Sequence, residues 1–383
     1  MMEQLELKNL YDGFRDAPTI KAYAKLIEED AKKLQSPINI MEVCGGHTHT
    51  IMKYGLLQLL PKNIKFIHGP GCPVCIIPKE RIDHAYILSM QEDVILVTLG
   101  DMIKVPGSKG SLQDARSRGA DVRFVYSPFD CLKIARQNPT KKIIFFAIGF
   151  ETTTPMSAAL LESVIKEGIY NIFFHINHVR VPEVMRELIK SRDVHVDSYN
   201  NKIDAFLGPS HVSVISGSKI YEEFPRDYNR PVVVSGFEPV DVMQAISMSV
   251  KQFVEGRCSL ETQYKRVVTY DGNLKAQELI DTYFEQRELF KWRGLGNIPK
   301  SGLKLKPEFE AYDAEVIYKD VLPLGEIEDH KLCICGDILR GMANPPECTL
   351  FGTACKPSSP IGSCMVSSEG ACAAYYKYGN LIK

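Results

Sequence analysis

Eight short apolar runs constrain this chain more than anything else in it: INIMEV, IKFIH, DVILVTL, VRFVY, KIIFFAI, NIFFHI, IDAFLG and PVVVSG, spread between Ile38 and Gly236. Helical stretches such as PKERIDHAYILSMQ and PMSAALLESVIKEG lie between most of them. A strand that is apolar on both faces must be covered on both faces, and intervening helices supply that cover, so the alternation predicts parallel α/β layers. Three segments recur in order: VCGGHTHTIM with AIGFETTTPM, LGDMIKVPGSK with LGPSHVSVISGSK, and VYSPFD with VSGFEP. The offset drifts between about 104 and 110 residues. The match predicts two similar Rossmann-like lobes, lobe I over 37–139 and lobe II over 140–245.

Residues 1–36 read as helix from apolar positions at three- and four-residue steps. Beyond residue 245 the alternation stops. VMQAISMSVKQFVEG and LKAQELIDTYFEQRELFKWRG read as helices, and the tail from Cys333 is rich in Cys, Gly, Pro and Ser. A mostly helical third domain is expected over 246–383, with the N-terminal helices packed on it, and its tail needs a metal to hold it.

Net charge is −1, which gives no footprint for nucleic acid or an acidic membrane surface. No apolar run approaches the ~18 residues of a bilayer span. The charged N-terminus lacks a signal-peptide core. These features point to the cytosol, where eleven cysteines suggest metal or redox chemistry rather than a disulfide framework. Cys131 and Cys258 stand alone and read as small buried hydrophobes.

In open parallel sheets ligands bind beyond the carboxyl ends of the strands, and the unusual residues fall there. INIMEV runs into Cys44-Gly45-Gly46-His47, IKFIH into Gly69-Pro70-Gly71-Cys72, FFAI into Gly149-Phe150-Glu151, and AFLG into Pro209-Ser210-His211. Gly and Thr there also serve βα turns and caps, which leaves the recurrence of Cys and His to explain. Cys44 with His47 and His49 offers soft and imidazole ligands for iron, copper or zinc, and a helix start favours its thiolate. The bland alternative makes the histidines caps or packed rings. The CPVC turn, Cys72 to Cys75, resembles a redox dithiol. Its rival is half a zinc site completed by Cys333 and Cys335. Cys348, Cys355, Cys364 and Cys372 are separated by six, eight and seven residues. Zinc ribbons use two close pairs, so this wide spacing predicts a [4Fe–4S] cluster, with Cys333 and Cys335 as bystanders or outer neighbours.

Taken together, CGGHTHT, GPGCPVC, GFETTTP, GPSHVS, SGFEP and the four-cysteine tail resemble the HypD family, the maturation proteins of [NiFe] hydrogenases, from about Ile38 to Tyr378. The resemblance implies assembly of an Fe(CN)2CO unit together with HypC and HypE, for delivery to the hydrogenase large subunit. It implies iron at Cys44, held jointly with HypC, thiol redox work at Cys72 and Cys75, and the cluster on Cys348, Cys355, Cys364 and Cys372. That cluster arrangement is similar to ferredoxin:thioredoxin reductase. His47, His211 and Glu369 are candidates for iron or proton roles. The protein would then be a redox-active scaffold that carries Fe(II) or Fe(CN)2CO transiently. A stand-alone iron–sulfur thiol–disulfide reductase, or a passive scaffold with a structural cluster, are the competing readings.

Overall fold

A computed structural model describes residues 12–193 and 202–379. Nine strands form two sheets in which every pairing is parallel. One sheet holds β1 (Ile38–Glu42), β2 (Ile64–His68), β7 (Ala205–Pro209), β8 (Val232–Ser235) and β9 (Leu260–Thr262), in the order β2-β1-β7-β8-β9. The other holds β3 (Val94–Leu99), β4 (Val122–Val125), β5 (Lys142–Gly149) and β6 (Ile172–His178), in the order β4-β3-β5-β6. Their inner strands are buried nearly end to end, as helices on both faces require.

The α/β class and the two parallel lobes agree with expectation, but the lobes divide the chain differently. The first sheet takes strands from both 38–68 and 205–262, and the second takes the contiguous strands between. Boundaries at 139 and 140 therefore do not separate the lobes, because strand–helix alternation is local and carries no record of which sheet a strand joins. Counted along the chain, both sheets share the order 2-1-3-4, so β1 matches β3 in place and β7 matches β5. The apparent repeat pairs β1 with β5 and β3 with β7, which differ in place. Its shared Gly and Thr are those that any βα turn uses. The shared order puts a winding reversal between β1 and β7, and another between β3 and β5, where ligand crevices form.

The Ala17–Ala31 helix packs on the Pro239–Val254 helix and the first sheet, burying Ile27 and Ala31 with Ile38, Ile40 and Ile246. Its partner is the helix VMQAISMSVKQFVEG, expected to open the third domain, and that helix covers the first sheet. Residues 1–11, included in the expectation, lie outside the described residues. The C-terminal third is more mixed than expected. It contains two antiparallel ribbons, Phe284–Gln286 with Leu303–Leu305 and Leu289–Trp292 with Gly296–Pro299, among short helices. No helix among the described residues is long and apolar enough to cross a membrane.

A buried ion cluster fastens this third to the second sheet. Arg81 donates to both Glu315 oxygens at 2.6 Å, to Asn177 Oδ1 at 2.6 Å and to the Ile176 carbonyl at 2.7 Å, while Arg287 reaches Glu315 at 2.5 Å. Burial alone would raise the Glu315 carboxyl, but the two guanidinium groups hold it well below the usual carboxylate range. Removing one member of a buried pair strands the others. Glu315→Ala is expected to cost about 3–5 kcal/mol in urea unfolding. A loss under about 1 kcal/mol would contradict this role.

Candidate functional site

Cys44 follows buried Val43, two residues past the end of β1, in extended conformation (φ −149, ψ 127), immediately before the Gly45–Lys53 helix. Its N–H donates to Glu42 Oε2 at 2.9 Å. Glu42 is fully buried, and its other oxygen accepts from the Thr48 hydroxyl and from His68 Nδ1, the latter at 2.9 Å. The GPGC turn is tied to the same point: Gly45 N–H donates to the Gly71 carbonyl and Gly69 N–H to the Glu42 carbonyl, both at 2.8 Å. The glycines are required by close approach. A Cβ on Gly71 would lie 2.3 Å from the Cys44 carbonyl carbon, and one on Gly45 would lie 2.3 Å from Glu369 Cβ. Cys44, the CPVC turn and Glu369, far apart in sequence, therefore meet at one place.

Burial pushes the Cys44 thiol up, Glu369 and Glu42 add to the push, and the N–H groups of Gly46 and His47 oppose it. The thiol is thus protonated until a cation displaces the proton, which reverses the local balance. His47 Nε2 stands 3.1 Å from the Ser235 and Gly236 carbonyls, so Nε2 carries the hydrogen; buried Nδ1 has no hydrogen-bond partner. Phe237 lies between His47 and His211, with ring centroids 4.8 and 4.2 Å away. Burial lowers both histidines, which favours neutral imidazole, the ligand form. His49 instead meets the ring of Tyr378 edge-on at 5.4 Å.

Cys72 and Cys75 bracket the first turn of the Pro73–Ile76 helix, both buried and both free thiols. The Cys75 thiol hydrogen-bonds Cys364, which works its pKa downward, yet Cys72 and burial push it well above the usual thiol range. Ser363 donates its hydroxyl to the Cys75 carbonyl. A Cβ on Gly370 would lie 2.2 Å from the Cys364 carbonyl and 2.9 Å from Cys75 Sγ, so this glycine leaves room for the two thiols to touch.

Behind Cys364 lies a small cavity lined by Cys333, Cys335, Cys348, Cys355, Cys364 and Cys372 and by the apolar side chains of Ile338, Leu350, Phe351 and Met365. All four expected tail cysteines reach it. Cys333 and Cys335, expected to stand by, line it too, and the CxC spacing ahead of Gly336 was the signal for them. The six thiols form a chain of contacts in which Cys335 hydrogen-bonds both Cys333 and Cys364. Cys364 hydrogen-bonds Cys335 and Cys75, whereas the neighbours acting on Cys372, after burial, are Cys333, Cys355 and Cys348. No three His, Cys, Asp or Glu among the described residues are placed to hold a single metal ion. Thiols spread around an apolar cavity fit a larger inorganic core better than one zinc ion. Cys131 is buried in the core of the second sheet as expected, and Cys258 is half-buried.

Glu151 lies two residues past β5 and lines a groove with Arg180, Lys219 and Phe284. Its Oε1 accepts from Val181 N–H at 3.0 Å, and its buried Oε2 has no hydrogen-bond partner. Burial raises this carboxyl to about 7, against the pull of Arg180. The fold favours its neutral form, so that stability is fully present below about pH 4.5 and is lost as pH rises through 7, a span worth about 3 kcal/mol. Glu151→Gln is expected to flatten the stability profile between those values. An unchanged slope in pH-dependent urea unfolding would contradict it.

Known proteins resemble this chain over nearly its whole length. The family described as HypD, "Hydrogenase formation hypA family", matches residues 18–379. Hydrogenase maturation factor HypD2 of Bradyrhizobium diazoefficiens is 50% identical over 369 residues, covering 96% of both chains. Hydrogenase maturation factor HypD of Rhizobium leguminosarum bv. viciae is 49% identical over 369 residues, covering 96% of this chain and 95% of its own. Hydrogenase maturation factor HypD of Escherichia coli K12 is 44% identical over 371 residues, covering 96% and 97%. The chain belongs to the HypD family of hydrogenase maturation factors.

Proposed function

We propose that this maturation factor works in the cytoplasm as a redox-active scaffold, assembling the Fe(CN)2CO unit with a HypC-type chaperone and HypE for the hydrogenase large subunit. Iron is the cargo. Cys44 holds it as thiolate, with a cysteine of the chaperone, and leaves positions open for diatomic ligands. Glu42 orients the Cys44 backbone, and His47 Nδ1, His211 and Glu369 are groups available to bind iron or move a proton.

The observation that carries the reading is the contact of Cys75 with Cys364. It joins the cysteine cavity to a turn that is itself packed on Cys44. The placing of Cys333, Cys348 and Cys355 around Cys372, with Cys364 turned to Cys335 and Cys75, supports a [4Fe–4S] cluster held by Cys333, Cys348, Cys355 and Cys372, which would supply electrons when bound. Cys364, first expected as a ligand, then pairs with Cys335 as a second dithiol. Oxidation passes between the pairs by exchange. The Cys364 thiolate attacks Cys75 Sγ in a Cys72–Cys75 disulfide, forming a Cys364–Cys75 bond and releasing the Cys72 thiolate. Cys335 then attacks Cys364 Sγ and releases Cys75. Two thiols regenerate at Cys72 and Cys75, and one disulfide forms at Cys335–Cys364.

The exchange intermediate can be trapped. In Cys335→Ser the second attack is blocked, so oxidation followed by acid quench and peptide mass spectrometry should yield a Cys75–Cys364 crosslink. Its absence, with Cys72–Cys75 as the sole disulfide, would count against the relay.

A further inference from the structure

We propose that a lysine-rimmed groove behind the cysteine cavity docks a small acidic one-electron carrier protein. The inference rests on the redox reading above, which leaves one demand unmet: reducing the Cys335–Cys364 disulfide consumes two electrons and two protons. Two carrier molecules, each oxidised by one electron, and two protons from solvent convert that disulfide into two thiols.

The groove, of about 800 Å³, is lined by Pro357, Met365, Val366, Ala373, Tyr376 and Lys377. Met365 lines both this groove and the cysteine cavity. Met365 directly follows Cys364, Ala373 directly follows Cys372, and Pro357 lies two residues after Cys355. A protein seated there is divided from the cavity by the Met365 side chain. Tyr376 gives the groove an exposed aromatic face, 43% accessible, backed by Phe351 at a centroid distance of 6.2 Å. A second groove continues from Pro357 across Pro360 to Lys104.

Charge sets the partner. Lys53, Lys104 and Lys377 are exposed, and Lys356 precedes Pro357. Lys53 and Lys377 lie near enough to act together on His49. Many lysines elsewhere pair with carboxylates, for example Lys33 with Asp30 and Lys142 with Asp93. Among the described residues none of these four does; Lys53 and Lys377 lean only on the rings of Tyr54 and Tyr378. Asp114, in the second groove, is occupied in capping Ser111, and Glu369 lies on the Cys44 side. Unpaired cations around an apolar centre steer an acidic partner and leave it free to depart, as a carrier must. Of the four, Lys377 lines the groove and Lys104 the one that continues it.

The test uses anaerobic holoprotein and a plant-type [2Fe–2S] ferredoxin as probe. Oxidised ferredoxin is titrated with the protein by NMR at two salt concentrations, and photoreduced ferredoxin is mixed with it in stopped flow. Binding should weaken with salt. The double variant Lys104→Glu, Lys377→Glu should raise Kd and slow reduction by about tenfold or more, while bleaching by dithionite is unchanged. Normal dithionite bleaching with unchanged Kd and rate overturns the docking surface and leaves the redox reading intact. Self-association that the double variant abolishes assigns the groove to a second copy and also overturns it. A protein without iron–sulfur absorbance overturns the redox reading and this inference together.

Discussion

Cys44→Ala is expected to abolish iron loading: the complex purified with its HypC-type partner should show no CN or CO bands in the infrared, and hydrogenase maturation should stop. The geometry makes this effect large. Cys44 is the thiol at which β1, the GPGC turn and Glu369 converge, and Glu42 fixes its backbone from a fully buried position. Losing an outer partner of a metal ligand costs about 10–100-fold in affinity, so losing the ligand itself costs more than about 100-fold. Glu42→Gln should fall within the smaller range. Cys44→Ala should keep its cluster absorbance and its internal disulfide exchange, because neither uses that sulfur. A variant that retains the infrared bands removes Cys44 from the account. One that loses maturation and disulfide exchange together points to a damaged fold instead.

Cys364→Ser is expected to cut the proposed redox chain at its middle. Exchange needs a sulfur at both steps and serine has none, so reduction of Cys72–Cys75 through the protein should slow by at least about 100-fold. Iron content should stay at the wild-type value, because the cluster is assigned to Cys333, Cys348, Cys355 and Cys372. Counting iron and sulfide while mapping thiols by alkylation separates the two roles. Half or more of the iron lost would return Cys364 to the ligand set. Iron retained with normal reduction of Cys72–Cys75 would show that electrons bypass Cys364.

The legibility of this fold and site follows the range of the forces involved. Strand–helix alternation is written locally, in runs such as KIIFFAI and PVVVSG, and it correctly indicated parallel α/β layers. Which sheet each strand joins depends on contacts more than 160 residues apart, such as Asn39 N–H to Asp204 at 2.8 Å, and no local pattern records them. The apparent repeat misled for the same reason, since βα turns resemble each other wherever they sit. The site was legible where chemistry is unusual for its setting, at Cys44, Cys72, Cys75 and the tail cysteines. Glu42 and His68 were not, because a carboxylate and an imidazole inside strands read as ordinary residues until the fold brings them to 2.9 Å. Gly370 and Gly71 were hidden likewise: a glycine whose missing Cβ leaves space for a sulfur or a carbonyl looks like any turn glycine.

The measurement that reaches the central claim most directly is an anaerobic crystal structure with anomalous data at the iron edge. The account predicts four iron atoms in the tail cavity, bound by Cys333, Cys348, Cys355 and Cys372, with Cys364 unbound and in contact with Cys75. Zinc in the cavity, or iron bound by Cys364 with Cys75 out of its reach, would contradict it.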